Sequence, residues 1–299
     1  MILQVMPQFF CNLKCGYCYL GDLTNDKTCL SFERFCEMYK ELVCAGYTVE
    51  GIEVFGGSLE TPEADRFIKK LVAYKPETNV MGSLAFGSNS VSFNIERGDA
   101  LKALQYINMR KHCNVYTVVL PTTALLGPDW YYKQLEKEDF RGIVNFIQYI
   151  PAENSKLKFE VKNRDYSKFM IKAIKSYYKK QRGFKLDIID LLEDALHGHY
   201  DPRMTSHIFI SPQGKYGYVS YNQDNSNLEK FIWCDTLQEW EAGATKEKLM
   251  RPLKCAFCEN NSCCIAEHLR HWGPKDDCCG FNDLIKWWKT NRGKYGFDN

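Results

Sequence analysis

Three cysteines near the start of the chain, Cys11, Cys15 and Cys18, are spaced Cys-x3-Cys-x2-Cys. They follow an apolar run, Ile2 to Phe10, that reads as a strand. A loop leaving a strand can wrap three thiolates around one metal centre. Thiolates are soft ligands, suited to iron–sulfur clusters, zinc and Cu(I). Three ligands for a four-iron cluster leave one iron without a protein ligand, and a small molecule can bind there. A structural zinc knuckle that borrows a distant fourth ligand is the plainer alternative.

A second bunch lies near the other end: Cys255, Cys258, Cys263 and Cys264, then Cys278 and Cys279. Cys-x2-Cys followed by further cysteines is a metal pattern, but its spacing does not separate zinc from iron–sulfur. His268 and His271 are close enough in sequence to join a Cys/His zinc site. Fourteen cysteines in 299 residues is a high count. Disulfides are the reading for small secreted domains. Here the chain is long, no basic n-region precedes an apolar signal segment, and the cysteines bunch at two places. Metal ligation in a reducing cytoplasm fits better. Cys29, Cys36, Cys44 and Cys113 fall outside both bunches and are assigned no chemistry; Cys234 is spare.

The elements that must position these groups alternate. Ser31 to Ala45 reads as a helix with Ser31 as N-cap. Val49 to Phe55 is a strand ending in Gly56-Gly57-Ser58-Leu59-Glu60, and Pro62 opens a helix to about Tyr74. Two glycines after a strand let the backbone approach a ligand closely. Val80 to Phe86 reads as the third strand, followed by Gly87-Ser88-Asn89-Ser90, and Glu96 to Arg110 as a helix. Asn114 to Leu120 is the fourth strand, Trp130 to Glu138 a helix, and Gly142 to Ile150 the fifth strand, with Gln148 and Tyr149 facing the barrel mouth. Tyr166 to Lys180 and Leu186 to Leu196 are helices. Strand–helix alternation over 1–200 predicts a parallel sheet with crossover helices, and active sites of such barrels lie at the C-terminal strand ends. Farther on, His207 to Ser220 reads as a hairpin, Thr236 to Ala242 as a short helix, and Leu284 to Lys289 as an amphipathic helix on the barrel.

Cys11-x3-Cys15-x2-Cys18, with Tyr17 before the last cysteine, resembles the signature of the radical S-adenosylmethionine (SAM) superfamily. The resemblance implies an α/β fold: a partial (β/α)6 TIM-type barrel over 1–200, then a small cysteine-rich SPASM/twitch-like domain over 201–299. It implies a [4Fe–4S] cluster on Cys11, Cys15 and Cys18 whose open iron binds SAM. It also implies reductive cleavage of SAM to a 5′-deoxyadenosyl radical that abstracts a substrate hydrogen. The family has Gly-Gly-Glu where this chain has Gly56, Gly57 and Ser58, so the usual carboxylate is missing, and Ser58 or Glu60 is left to act in its stead. Ser88 and Asn89 resemble the ribose-contacting turn, and Tyr17 joins the cofactor-binding set. The hairpin and Cys-x2-Cys-x5-Cys imply one auxiliary [4Fe–4S] cluster on Cys255, Cys258, Cys264 and either Cys278 or Cys279. No thiol stands in the hairpin and His268 occupies a later ligand position, so a second auxiliary cluster is not expected.

Composition sets the rest. The chain is 45% hydrophobic and 25% charged with net charge +2, giving no electrostatic case for a nucleic-acid partner. No run of 18 apolar residues marks a membrane span, and a cytoplasmic location is expected. The implied function is oxidative modification of a ribosomally made peptide (a crosslink, epimerisation or related change), with an external electron donor such as flavodoxin or ferredoxin. Only the first strand precedes Cys11, so no peptide-recognition domain is expected there, and a small-molecule substrate is the alternative. A non-catalytic zinc-binding interaction module is the rival from another class.

Overall fold

The computed structural model describes residues 1–13, 15–82, 85, 87–159, 162–198, 207–220, 230–249, 255, 257–265 and 279–297. Cys278, His268 and His271 lie outside the described residues. The chain alternates as its sequence predicts. Strand β1 (Ile2–Val5) precedes helix α1 (Phe32–Cys44), and β2 (Gly51–Val54) precedes α2 (Pro62–Tyr74). Ser31 caps α1 by accepting from Arg34 N, and Phe35, Met38 and Leu42 form its buried stripe. Thr61 caps α2, with Pro62 in the first turn. Such caps contribute about 1 kcal/mol each, and each buried apolar side chain roughly 1.5–3 kcal/mol.

The middle of the barrel departs from the expected boundaries. Val80 to Phe86 is not one strand. Strand β3 is Asn79–Val80 alone, and the chain then turns: Ala85 N donates to Gly82 O and Ser88 N to Ala85 O. A separate strand, β4 (Ser90–Ser92), follows, and then α3 (Ala100–Met109). Next come β5 (Asn114–Val119), α4 (Pro121–Leu126), α5 (Pro128–Lys137), β6 (Ile143–Gln148), α6 (Asn163–Tyr177), β7 (Lys185–Leu186) and α7 (Asp187–Leu196).

Strands β1, β2 and β3 pair in parallel in sequence order, as do β4, β5, β6 and β7. A single parallel bridge, Val80 to Ser88, joins the two groups. The hairpin of β8 (His207–Ile210) and β9 (Tyr216–Ser220) does not stand apart: β8 pairs in parallel with β1, and β10 (Lys230–Cys234) extends the sheet antiparallel to β9. Helix α8 (Leu237–Leu249) covers this extension through Trp240, whose Nε1 donates to Gly217 O at 2.9 Å. The last helix, α9 (Asn282–Asn291), packs on α6 and is pinned to α7. Trp288 Nε1 and Arg292 Nη2 both donate to Glu193, at 2.5 and 2.6 Å. No helix among the described residues is long and apolar enough to cross a membrane.

Candidate active site and metal centres

The loop after β1 carries Cys11, Cys15 and Cys18 at the C-terminal end of the parallel strands, where ligands bind in such barrels. Three segments brace it. Within it, Cys18 N donates to Cys15 O at 3.1 Å and Cys11 N to Thr24 O at 3.1 Å. From the end of β2, Gly57 N donates to Gln8 O (3.0 Å) and Ser58 N to Phe10 O (2.7 Å), while Gln8 Nε2 donates to Ser58 O. From the stretch after β6, Ser155 Oγ donates to the carbonyls of Tyr17 and Cys18, both at 3.1 Å, and Leu157 N to Gly16 O at 2.7 Å. The role of residues 155–157 was not legible in the sequence.

The close approach permitted by the two glycines is to the chain itself. A Cβ on Gly57 would lie 2.0 Å from Phe10 O, and Gly56, at φ +132, would meet Gln8 O at 2.9 Å. Ser58 is buried; its Oγ accepts from Asn12 N at 3.1 Å and donates to Cys11 Sγ at 3.6 Å. Glu60 is exposed. Burial raises the Cys15 thiol to about 11, with the Arg97 charge opposing it, and burial likewise raises Cys18. Metal binding must therefore supply the energy to deprotonate them.

Ser88 and Asn89 do not join this loop. They precede β4: Asn114 N, at the start of β5, donates to Asn89 O. Ser88 O accepts from Tyr106 and Arg110, in the last turn of α3 and just past it, where the chain returns to the strand bottoms. Ser88 bridges Val80 at the end of β3, so the pair lies in the turn between β3 and β4. Residues past the other end of β4 reach the mouth. Asn94 continues the pairing with β5 through its side chain, donating to Val118 O (2.8 Å) and accepting from Val118 N (3.0 Å). Glu96 and Arg97 follow. Arg97 holds Asp99 through Nε and Nη2 (2.8 and 2.9 Å), and its charge acts on Cys15 and Tyr17. Sequence reasoning assigned both residues to a helix; their signal was a polar pair following Ser-x-Asn.

Gln148 and Tyr149 end β6. Gln148 Nε2 donates to Asn163 Oδ1 at 2.6 Å, and Tyr149 OH to Leu157 O at 3.3 Å, so Tyr149 serves the bracing stretch and Gln148 the start of α6.

The second bunch lines a solvent-open pocket, formed by Cys255, Cys258, Cys264 and Cys279 with Asn260, Asn261, Asn282 and Ile285. Asn282 N, in the first turn of α9, donates to Cys279 Sγ at 3.3 Å. Burial raises the Cys279 thiol, and the Phe281 and Asn282 amides counter it. Cys263 turns into the core and donates to Asn260 O at 3.7 Å. Cys234 sits in the other core, with Leu237 and Trp240. Gly280, beside Cys279, is tied to the barrel by Ser167 Oγ at 2.5 Å. Among the described residues no three His, Cys, Asp or Glu side chains gather closely enough to hold a single metal ion. Four thiols among these lining residues are the soft donor set that an iron–sulfur cluster or a zinc ion takes.

No protein-family model matches the sequence, and no curated protein matches it. Solved structures do match in fold. SuiB of Streptococcus suis bound to the precursor peptide SuiA is 12% identical with a TM-score of 0.63, over 88% of this chain and 70% of that one. The same protein bound to S-adenosylmethionine gives the same identity and TM-score, over 88% and 71%. The enzyme anSMEcpe with bound AdoMet and the Cp18Cys peptide is 17% identical with a TM-score of 0.66, over 98% of both chains. The fold of this chain is therefore the one seen in SuiB and anSMEcpe.

Proposed function

We propose that this protein is a radical SAM enzyme that modifies a peptide. One observation carries the reading: Cys11, Cys15 and Cys18 lie on a braced loop at the mouth of a barrel whose fold is shared with AdoMet-bound enzymes. A [4Fe–4S] cluster with SAM supplies, when bound, reductive cleavage to a 5′-deoxyadenosyl radical that takes hydrogen from an unactivated C–H. The three cysteines hold that cluster. Gly57 and Ser58 fix the loop's path from the β2 side, and Ser155 and Leu157 from the β6 side, so its thiols keep one geometry. Gly56, Gly57, Ser58 and Tyr17 border the SAM site in this reading.

In this reading the cysteine pocket holds one auxiliary [4Fe–4S] cluster on Cys255, Cys258, Cys264 and Cys279. With four protein ligands it has no open iron, which suits electron uptake in a net oxidation. An external flavodoxin or ferredoxin is the electron donor. The auxiliary module spans 201–299, its first strand completing the barrel sheet. Peptide is favoured as substrate because SuiB is bound to a precursor peptide and anSMEcpe to the Cp18Cys peptide.

The test is anaerobic iron and sulfide content with EPR of the reduced protein before and after SAM. The reading expects about eight irons, as two [4Fe–4S] clusters hold, and one signal that shifts with SAM. Zinc at both centres after anaerobic reconstitution overturns it.

A further inference from the structure

The strands divide their residues between two faces. Leu3, Ile52 and Val80 share a core with Phe35 of α1 and Phe67 of α2, so they point outward to the helices. Successive strand residues point to opposite sides. Gln4, Glu53 and Asn79 therefore face the inside of the barrel. They form one row, Gln4 in register with Glu53 and Glu53 with Asn79. Across the barrel, Val115 and Val144 share the other core with Leu135 of α5. Tyr116 and Asn145, in register with each other, are the inward pair there. A barrel of this kind ordinarily fills its inside with bulky branched side chains. These two rows are polar instead.

The inward groups do not satisfy one another. Gln4 Nε2 donates to Glu53 Oε2 at 2.9 Å. Glu53 Oε1 accepts nothing among the described residues, and no lysine or arginine among them pairs with this half-buried carboxylate. Asn79 Oδ1, shut off from solvent, accepts nothing either. Burial first, then the charges of Glu53 and Asp187, push the Tyr116 phenol up to about 12, so it stays neutral and adds no countercharge. The inner wall is thus short of donors and holds a carboxylate without a counter-ion, an unfavourable state that a bound cation relieves. An ammonium or guanidinium supplies both missing things, N–H donors and positive charge. Glu53 stands one residue before the end of β2, and Gln4 one residue before the end of β1, from which the cysteine loop rises.

We propose that Glu53 selects a substrate peptide by a cationic side chain, a lysine or arginine that enters the barrel and donates to Glu53 Oε1. The proposal rests on the reading of this chain as a peptide-modifying enzyme and names the residue class that the peptide presents. Glu53 is the specificity-determining residue, and Gln4 a positioning residue that holds its other oxygen.

The test uses full-length, anaerobically reconstituted protein with SAM present. The probes are blocked alanine pentapeptides whose central residue is lysine, arginine, norleucine or glutamate; norleucine is lysine without its ammonium. Dissociation constants are measured by equilibrium dialysis. Wild type should bind the lysine and arginine peptides about ten- to hundredfold more tightly than the norleucine peptide, the worth of one charge-assisted hydrogen bond. Glu53→Gln keeps the shape and an acceptor for Gln4, so it should melt as wild type does and bind lysine and norleucine peptides alike. Glu53→Lys should reverse the order and favour the glutamate peptide. Wild type that binds none of the four, or binds lysine and norleucine alike, overturns the proposal. So does Glu53→Gln that keeps the lysine preference. EPR of the same samples with and without SAM separates the two readings. A SAM-shifted signal without a charge preference strikes Glu53 alone, whereas a charge preference without a SAM-shifted signal strikes the enzyme reading and leaves the cation site.

Discussion

Ser58 Oγ donates to the Cys11 sulfur at 3.6 Å while accepting from the amide of Asn12 at 3.1 Å. The residue that ends the glycine turn thus contacts the first cysteine of the loop directly. Its side chain is buried, so the space past it is already filled by that loop. Ser58→Ala removes both bonds and should cost about 1 kcal/mol, read as a lower melting temperature with iron at the first centre largely kept. Ser58→Glu brings a longer, charged side chain into the same space. It should lose the SAM-responsive EPR signal while retaining the auxiliary irons. A glutamate variant that binds SAM more tightly than wild type would refute this account of Ser58.

Gly57 is required by its neighbours rather than by its dihedral angles. Any side chain there drives a methyl into the carbonyls of Phe10 and Phe9, at 2.0 and 2.6 Å. Backbone cannot yield as a side-chain tip can, so Gly57→Ala should shift the segment that leads into Cys11. Overpacking of this kind costs roughly 1–3 kcal/mol. Gly51→Ala is the control, since its Cβ meets nothing within 4 Å. Thermal melting and iron content of the two variants should diverge, with Gly57→Ala losing iron from the first centre; equal behaviour would show that the loop adapts.

What the sequence made legible and what it hid divide on physical lines. Ser31 and Pro62 mark helix starts because caps and proline act locally, and the cysteine spacing marks the first centre for the same reason. Strand β4 was hidden because three residues, Ser90 to Ser92, carry no usable period, while Val80 to Phe86 looks apolar enough to be a strand. That shift left Glu96 in a helix. The clamp of Ser155 on Tyr17 and Cys18 spans 138 and 137 positions, a separation that no local pattern encodes.

Tyr131 gives a pH signature. Burial first, partly offset by the Thr123 hydrogen bond, pushes its phenol up to about 12. The folded protein therefore holds this proton more tightly than the unfolded chain, whose tyrosines titrate near pH ~10. The contribution to stability is full below pH ~10 and is lost as pH rises through about 12. Tyr131→Phe lacks that ionisation but also loses the bond to Thr123. Near neutral pH it should be about 1 kcal/mol less stable. Urea unfolding at stepped pH should show the gap closing across the alkaline window; a constant gap would mean that the phenol ionises freely in the folded state.

The two adjacent cysteines of the second bunch, Cys263 and Cys264, should behave as opposites. Both are buried, but Cys264 lines the cysteine pocket, whereas Cys263 directs its sulfur to the carbonyl of Asn260. Cys264→Ser and Cys279→Ser should each lose about half of the total iron, one of two four-iron clusters. Both should keep the SAM-responsive EPR signal, because the first centre uses separate cysteines. Cys263→Ser should keep all its iron and lose roughly 1–2 kcal/mol of stability, since a hydroxyl replaces a packed sulfur in the core. Cys234→Ser should likewise keep its iron, its side chain lying with Leu237 and Trp240 in the other core. Iron analysis and melting of the four variants check the assignment together. Iron loss in Cys263→Ser with retention in Cys264→Ser would reverse the register of the auxiliary site and exchange the roles of the two residues.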